Sequence, residues 1–325
     1  MTLLGMGTWS YAKLPHGRKA LPCKWVFKRK LTADGQIERY KARLVIKGFH
    51  QKHGIDYGDT FAPVLRFESL RTLFSIAVQH DLQMHQMDVK SAFLNGELKE
   101  DVYLSQPEGY VTEGREDCVL RLKKSLYGLK QSPRCWNETL DEYLKQLGFV
   151  QSVNDPCIYV RITDVLCVLA VYVDDIIIAC KSLNVINIIK SQLSNKYKMK
   201  DLGRLHYFLG VNINQSDGKI FISQASQVKN LLSKLGFNDL NSVKTPVDTS
   251  MKLEIANENS EMFDKTLYQS VVGSLLYLST RTRPDISFAV GQVSRYCSKE
   301  TVDVFPAISE RLRMTTHGTF IIWQT

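Results

Sequence analysis

The sequence predicts an α+β protein in which antiparallel hairpins alternate with amphipathic helices, and three observations carry that expectation. Val165-Leu-Cys-Val-Leu-Ala-Val-Tyr-Val-Asp-Asp-Ile-Ile-Ile-Ala-Cys180 is a pair of apolar runs joined by Asp174 and Asp175, the pattern of buried strands meeting at a polar tip. Ala33-Asp34-Gly35 and Ser216-Asp217-Gly218 each sit between alternating segments and signal further hairpins. Between these hairpins, apolar residues recur at helical spacing.

Taken in chain order, residues 21–50 alternate apolar with basic side chains on both sides of Asp34-Gly35, giving a ribbon with one basic face. Leu70, Leu73, Phe74, Ala77 and Val78 then mark a helix within Leu65–Leu82, and a short strand from Met84 delivers Asp88. Ser132 is the candidate N-cap of a helix with Pro133 at its first position; this helix runs through Leu140, Tyr143, Leu144 and Leu147 to Gly148. Leu183–Tyr197, Gln224–Leu235 and Tyr268–Leu278 are further helical patterns, and the polar stretch from Asn238 to Asp264 reads as linker.

With 325 residues, 44% hydrophobic and 23% charged, the chain can bury a core and divide into two or three subdomains. Forty-two Lys and Arg against 33 Asp and Glu give a net charge of +9, a balance that suits a polyanionic partner without requiring one. The seven cysteines show no ligand spacing, which argues for a reducing compartment and against a structural zinc site or a disulfide framework. No uncharged apolar run approaches the roughly 20 residues that span a bilayer, and the N-terminus lacks the pattern of a signal peptide, so no membrane partner is expected.

Two neighbouring carboxylates at a hairpin tip repel one another and lose hydration, a burden that a multivalent cation relieves. Asp88 by itself reads as a strand-end cap or turn residue, and gains weight as a third ligand only if a second source of carboxylates lies nearby. Lys41 and Arg43, two apart on a strand, share one side and offer a point charge and a fork to phosphate oxygens; a solvated strand face is the alternative.

Eleven short blocks resemble, in order and spacing, the reverse transcriptase region of copia-type LTR retrotransposon Pol polyproteins. They are Lys24-Trp-Val-Phe-Lys28, Arg39-Tyr-Lys-Ala-Arg-Leu-Val45, Lys47-Gly-Phe-His-Gln51, Gly54-Ile-Asp-Tyr57, Phe61-Ala-Pro-Val64, Asp88-Val-Lys-Ser-Ala-Phe-Leu-Asn-Gly96, Gln106-Pro-Glu-Gly-Tyr110, Leu126-Tyr-Gly-Leu-Lys-Gln-Ser-Pro133, Tyr172-Val-Asp-Asp175, Tyr207-Phe-Leu-Gly210 and Arg283-Pro-Asp285. The resemblance implies a right-hand polymerase: an N-terminal extension at 1–20, fingers at 21–84 and 98–127, palm at 85–97 and 128–222, and a thumb or connection at 223–300. Residues 301–325 are a divergent tail.

The same resemblance implies an RNA-directed DNA polymerase that adds dNTPs to a primer 3′-hydroxyl by two-metal nucleotidyl transfer. Asp88, Asp174 and Asp175 would be catalytic, and with Val89 they would form the metal set for two Mg²⁺, Mn²⁺ being a substitute. Lys41, Arg43, Phe93, Tyr127, Gly128 and Gln131 would bind the nucleotide, with Phe93 excluding a 2′-hydroxyl and Gly128 letting the backbone approach the ligand. Lys28, Arg29, Lys30 and Lys47 would follow template phosphates; Phe208, Leu209 and Gly210 would grip the primer; Lys198 or Lys200 would protonate pyrophosphate as general acid. Implied partners are an RNA or DNA template with its primer, dNTPs, and other Pol products such as integrase and RNase H. The implied location is the cytoplasm, in a virus-like particle, or the nucleus.

After the Arg283 block the resemblance fades to Arg311-Leu-Arg313 and His317-Gly-Thr319, with no RNase H domain expected. The alternative is therefore a truncated or domesticated transposon relic that binds nucleic acid without effective catalysis.

Overall fold

The computed structural model describes residues 7–31, 36–236, 264–297 and 319–322. The Asp34-Gly35 turn, the linker from Asn238 to residue 263 and most of the 301–325 tail lie outside the described residues. The chain divides into two compact units, one formed by Met1–Leu70 with Gln83–Gly203 and the other by Arg71–Leu82 with Arg204–Thr325. Helix α1 (Phe67–Gln79) crosses that division in sequence.

The first unit contains three sheets. Strand β1 (Trp9–Ala12) pairs antiparallel with β6 (Val119–Leu122), which also takes β5 (Tyr103–Leu104), so residues read as an N-terminal extension contribute a strand. Strands β2 (Cys23–Leu31) and β3 (Ile37–Ile46) form the ribbon expected from their alternation. The inner end of β3 packs Leu44 and Ile46 against Leu104, Leu120, Leu122 and Leu126.

The third sheet has six strands in the order β11-β4-β10-β9-β8-β7. These are β4 (Gln83–Val89), β7 (Val150–Gln151), β8 (Ile158–Ile162), β9 (Leu166–Tyr172), β10 (Asp175–Cys180) and β11 (Met199–Arg204). Side-chain alternation gives the central strands two faces. Met87 and Val89 of β4, Cys167, Leu169 and Val171 of β9, and Ile176, Ile178 and Cys180 of β10 form one core with helices α2 (Ser132–Gln146) and α3 (Leu183–Lys196). Gln86, Asp88, Tyr172 and Asp175 consequently belong to the opposite face.

Helix α2 begins one residue earlier than its sequence suggests. Gln131 occupies the N-cap position with no side-chain capping bond, and Ser132 is already helical. The Ser132 hydroxyl donates to the Leu126 carbonyl at 2.5 Å instead, which fastens the preceding loop. Helix α3 follows the ordinary rule, with Ser182 Oγ accepting from the Val185 N–H at 3.4 Å.

In the second unit, β12 (Tyr207–Phe208), β13 (Val211–Ser216), β14 (Lys219–Ser223) and β15 (Thr319–Ile322) form a four-stranded sheet in that order. Asp217 and Gly218 both have positive φ, 51° and 67°, the geometry of a tight two-residue hairpin turn. Helices α4 (Ala225–Lys234), α5 (Lys265–Arg281) and α6 (Ser287–Ser294) pack through Val228, Leu231, Val271, Leu275, Val290 and Val293. Among the described residues no helix is long and apolar enough to cross a membrane.

Candidate active site

The central hairpin brings the sequence-distant acids together. Strand β10 pairs antiparallel with β4 so that Asp175 faces Asp88, and with β9 so that Asp175 faces Tyr172. The tip itself is Val173-Asp174, one residue earlier than the aspartate pair alone indicates, and Asp175 opens the second strand. Asp174 is tied to β4 by the Val89 N–H, which donates to the Asp174 carbonyl at 2.7 Å. Val89, expected in the metal set, thus contributes backbone here while its side chain is buried in the helix-side core.

Burial raises the Asp174 carboxyl above its ordinary value and Asp88 pushes it further, while Lys41 and Arg43 pull it down. Burial likewise raises Asp175, with Asp174 and Asp88 adding to the effect. Against this, Gln86 Nε2 donates to Asp175 Oδ1 at 2.9 Å, as a diagonal cross-strand neighbour can.

Three carboxylates on neighbouring strands, those of Asp174 and Asp175 raised by burial and by nearby acids, are the hard-oxygen donor set that suits a divalent cation such as Mg²⁺. They are paired in register without being closed into a chelate. Among the described residues no three His, Cys, Asp or Glu side chains are gathered tightly enough to hold a metal outright. The Asp175 carboxylate is instead engaged by Gln86 on β4.

Lys41 and Arg43 are both half-buried on β3, as two residues on one side of a strand should be. Burial lowers the Lys41 ammonium below its ordinary value; Arg43, Lys30 and Arg39 add to the fall and Asp88 opposes it. The Arg43 guanidinium lies over the Tyr127 ring at 5.4 Å, and burial raises the Tyr127 hydroxyl, with Asp174 adding to the rise. Phe93 meets Tyr127 edge-on, with centroids 5.2 Å apart. A cavity of about 490 Å³ opens beside this group, lined by Lys41, Arg43, Tyr127, Ser91, Trp25 and Tyr110 among others.

Other expected residues are placed elsewhere. Gln131 has no exposed surface. Its amide nitrogen donates to the Asp56 carbonyl at 2.9 Å, and its oxygen accepts from Gln51 Nε2 at 2.9 Å. It ties the loops that carry Gln51 and Asp56 to the start of α2. Gly128, at φ +95°, is required by its neighbours: a Cβ there would collide with the Ile46 carbonyl and come within 2.9 Å of the Ile46 nitrogen. The close approach it permits is between two protein backbones.

Lys198 and Lys200 follow the end of α3, and both are exposed. The Lys198 carbonyl accepts from the Lys90 N–H at 2.8 Å. Phe208, Leu209 and Gly210 belong to the second unit, where Leu209 and Gly210 form a turn with φ of 46° and 72° and the Tyr277 hydroxyl donates to the Leu209 carbonyl. Sequence reading missed Gln86 and also Trp136, whose indole Nε1 donates to the Val173 carbonyl of the tip at 2.6 Å. Alternation could have put Gln86 beside Asp88, but nothing in the sequence indicates which main-chain oxygen an indole reaches.

Residues 6–249 match the family model described as "Reverse transcriptase (RNA-dependent DNA polymerase)". The chain belongs to this family. It is 40% identical over 316 residues to a retrovirus-related Pol polyprotein from transposon TNT 1-94 of Nicotiana tabacum, covering 94% of this chain and 24% of that one. It is 38% identical over 325 residues to a Pol polyprotein from transposon RE1 of Arabidopsis thaliana, covering 98% of this chain and 22% of the relative. The chain thus spans less than a quarter of the length of these curated relatives.

A solved foamy viral protease-reverse transcriptase in complex with double-stranded DNA is similar in fold, with a TM-score of 0.50 and 14% identity over 97% of this chain and 46% of that one. The resemblance to copia-type Pol reverse transcriptases drawn from the motifs is borne out, as is the α+β polymerase fold.

Proposed function

We propose that this chain carries out RNA-directed DNA synthesis for a copia-type retrotransposon, adding dNTPs to the 3′-hydroxyl of a primer on an RNA or DNA template. The observation that carries the reading is the registration of Asp175 opposite Asp88, with Asp174 next to Asp175 at the tip and Lys41 and Arg43 close enough to pull on the Asp174 carboxyl. A site for binding alone has no use for clustered negative charge beside phosphate.

Asp88 and Asp174, supported by Asp175 and the Val89 backbone, would hold two Mg²⁺, with Mn²⁺ as a substitute. When bound, the cations supply acidity to the primer hydroxyl and neutralise charge on the triphosphate. The remaining work falls to the chain's own groups. Lys41 and Arg43 bind triphosphate oxygens from the ribbon, Arg43 being oriented by the Tyr127 ring. Phe93, braced against Tyr127, blocks the 2′ position of the sugar.

Phe208-Leu209-Gly210 positions the primer end, and Lys198 or Lys200, both exposed, gives a proton to the pyrophosphate. Gly128 and Gln131 shape the loop before α2 that presents Tyr127, and in that way border the nucleotide. Other Pol products, integrase and RNase H, are the expected partners, and a cytoplasmic virus-like particle the expected setting.

Primer extension on an RNA template with Mg²⁺ and dNTPs tests the reading. Asp88→Asn and Asp174→Asn should each lower the rate about a thousandfold, the worth of several kcal/mol of charge stabilisation. Wild-type protein that binds template and primer but extends nothing would instead support the relic reading.

A further inference from the structure

The turn that carries Asp174 is made of residues poorly suited to it. Val173 has φ +56°, a left-handed conformation in which a β-branched side chain is an outlier. Both carbonyls of the turn are held from outside the hairpin. The Val89 N–H donates to the Asp174 carbonyl at 2.7 Å, and the Trp136 indole Nε1 donates to the Val173 carbonyl at 2.6 Å.

Trp136 is 2% exposed on α2. Its ring meets Tyr197 edge-on at 5.2 Å and 79°, and Tyr197 meets Tyr143 in the same way at 5.5 Å and 87°. Both tyrosines are pinned in turn: Tyr197 Oη donates to the Thr139 carbonyl at 3.2 Å and Tyr143 Oη to the Gln192 carbonyl at 2.8 Å. The indole is thus locked in orientation, and its N–H is a fixed point against which the turn is set.

We propose that Trp136 is a positioning residue for nucleotidyl transfer. Its indole N–H fixes the plane of the Val173–Asp174 peptide in a strained turn and so aims the Asp174 carboxylate toward Asp88. A peptide plane free to rotate would carry the Asp174 side chain with it, and the acids would spend less time converged. The inference rests on Asp174 acting as a metal-holding carboxylate. It adds that the carboxylate's placement is not intrinsic to the hairpin.

Trp136→Phe removes the donor and keeps an aromatic ring in the core. Should the smaller ring compromise folding, benzothienylalanine at position 136 preserves the bicyclic shape without the N–H. Either change should lower kcat for primer extension on the order of tenfold, the loss expected for one well-placed hydrogen bond. The KM for dNTP should stay within about twofold, because Lys41 and Arg43 are untouched. Mn²⁺ binding, followed by the electron paramagnetic resonance signal of the free ion, should weaken several-fold in the protein alone.

Glycine adopts positive φ freely. In a Val173→Gly background the turn keeps its shape unaided, and the same Trp136 change should then cost less than about threefold. A Trp136→Phe protein that melts earlier but keeps wild-type kcat and Mn²⁺ affinity would overturn the proposal, leaving the ring as core filling. An undiminished loss in the Val173→Gly background would do the same. Failure of the underlying site reading is distinguishable, because Asp174→Asn would then extend primers normally.

Discussion

Asp174 and Asp175 illustrate how a site stores its readiness as instability. Their folded carboxyls titrate above the ordinary value, chiefly through burial and then through the neighbouring acids. A carboxyl raised on folding binds its proton more tightly in the native state, so it favours the fold at low pH, and that contribution is lost as pH rises through the carboxylate range. At neutral pH the ionised pair therefore opposes folding of the metal-free protein. Asp174→Asn should raise the melting temperature at pH 7.5 by about 2 °C, corresponding to roughly 1 kcal/mol in a domain of this size, and the gain should vanish near pH 4. A melting temperature lowered by the substitution at both pH values would contradict this.

Phe93 supplies a second test at the same scale. Its ring is held edge-on by Tyr127, so it is braced rather than loosely packed. Phe93→Ala should raise the ratio of ribonucleotide to deoxyribonucleotide incorporation by at least about tenfold, the differential expected of a steric filter worth more than 1 kcal/mol. Competitive single-nucleotide insertion measures that ratio, and an unchanged value would return Phe93 to the core.

Among the elements, the loop from Leu126 to Gln131 joins the ribbon to the helical side of the first unit. Ile46 N–H donates to the Tyr127 carbonyl at 2.8 Å, Gly128 sits against Ile46, and Gln51 Oε1 accepts from the Lys130 N–H at 2.8 Å. Gly128→Ala would strain a positive φ and drive a methyl group into backbone that cannot yield. It should destabilise the protein by about 3 kcal/mol or more, read as a shifted urea midpoint with an unchanged slope.

This loop also shows where sequence reading ran out. Gly128 and Gln131 stand in a motif that points to a nucleotide, but a residue's burial and its main-chain partners are set by segments dozens of positions away. The strands, the central hairpin and the helices were legible because their signal is periodic and local. Gln86 and Trp136 were not, since their partners lie 89 and 37 positions off.

Considered as a whole, the molecule carries its excess positive charge unevenly. The ribbon alone presents Lys24, Lys28 and Arg29 as exposed cations, with Lys30 and Lys41 half-buried. Template binding should therefore weaken steeply with salt, each phosphate contact contributing about 0.9 to the slope of log K against log salt concentration. Lys28→Ala with Arg29→Ala should reduce that slope by about 1 to 2 for any template sequence, measured by fluorescence anisotropy; an unchanged slope would remove the ribbon from the template path. Asp88 was legible only through its block, because a lone acid at a strand end announces nothing. The structure adds the pairing that makes it a partner of Asp175.

The antiparallel registration of Asp88 against Asp175 has a further consequence for which changes of sequence the hairpin can absorb. Alternation has a period of two, so losing a single codon between Gln83 and Asp88 would turn the acid beneath the helices and bring its apolar neighbour out in its place. Point changes scattered over the exposed face of α3 would leave that geometry intact. The pairing of these acids is thus far more vulnerable to small deletions in β4 and β10 than to substitutions over most of the protein's length.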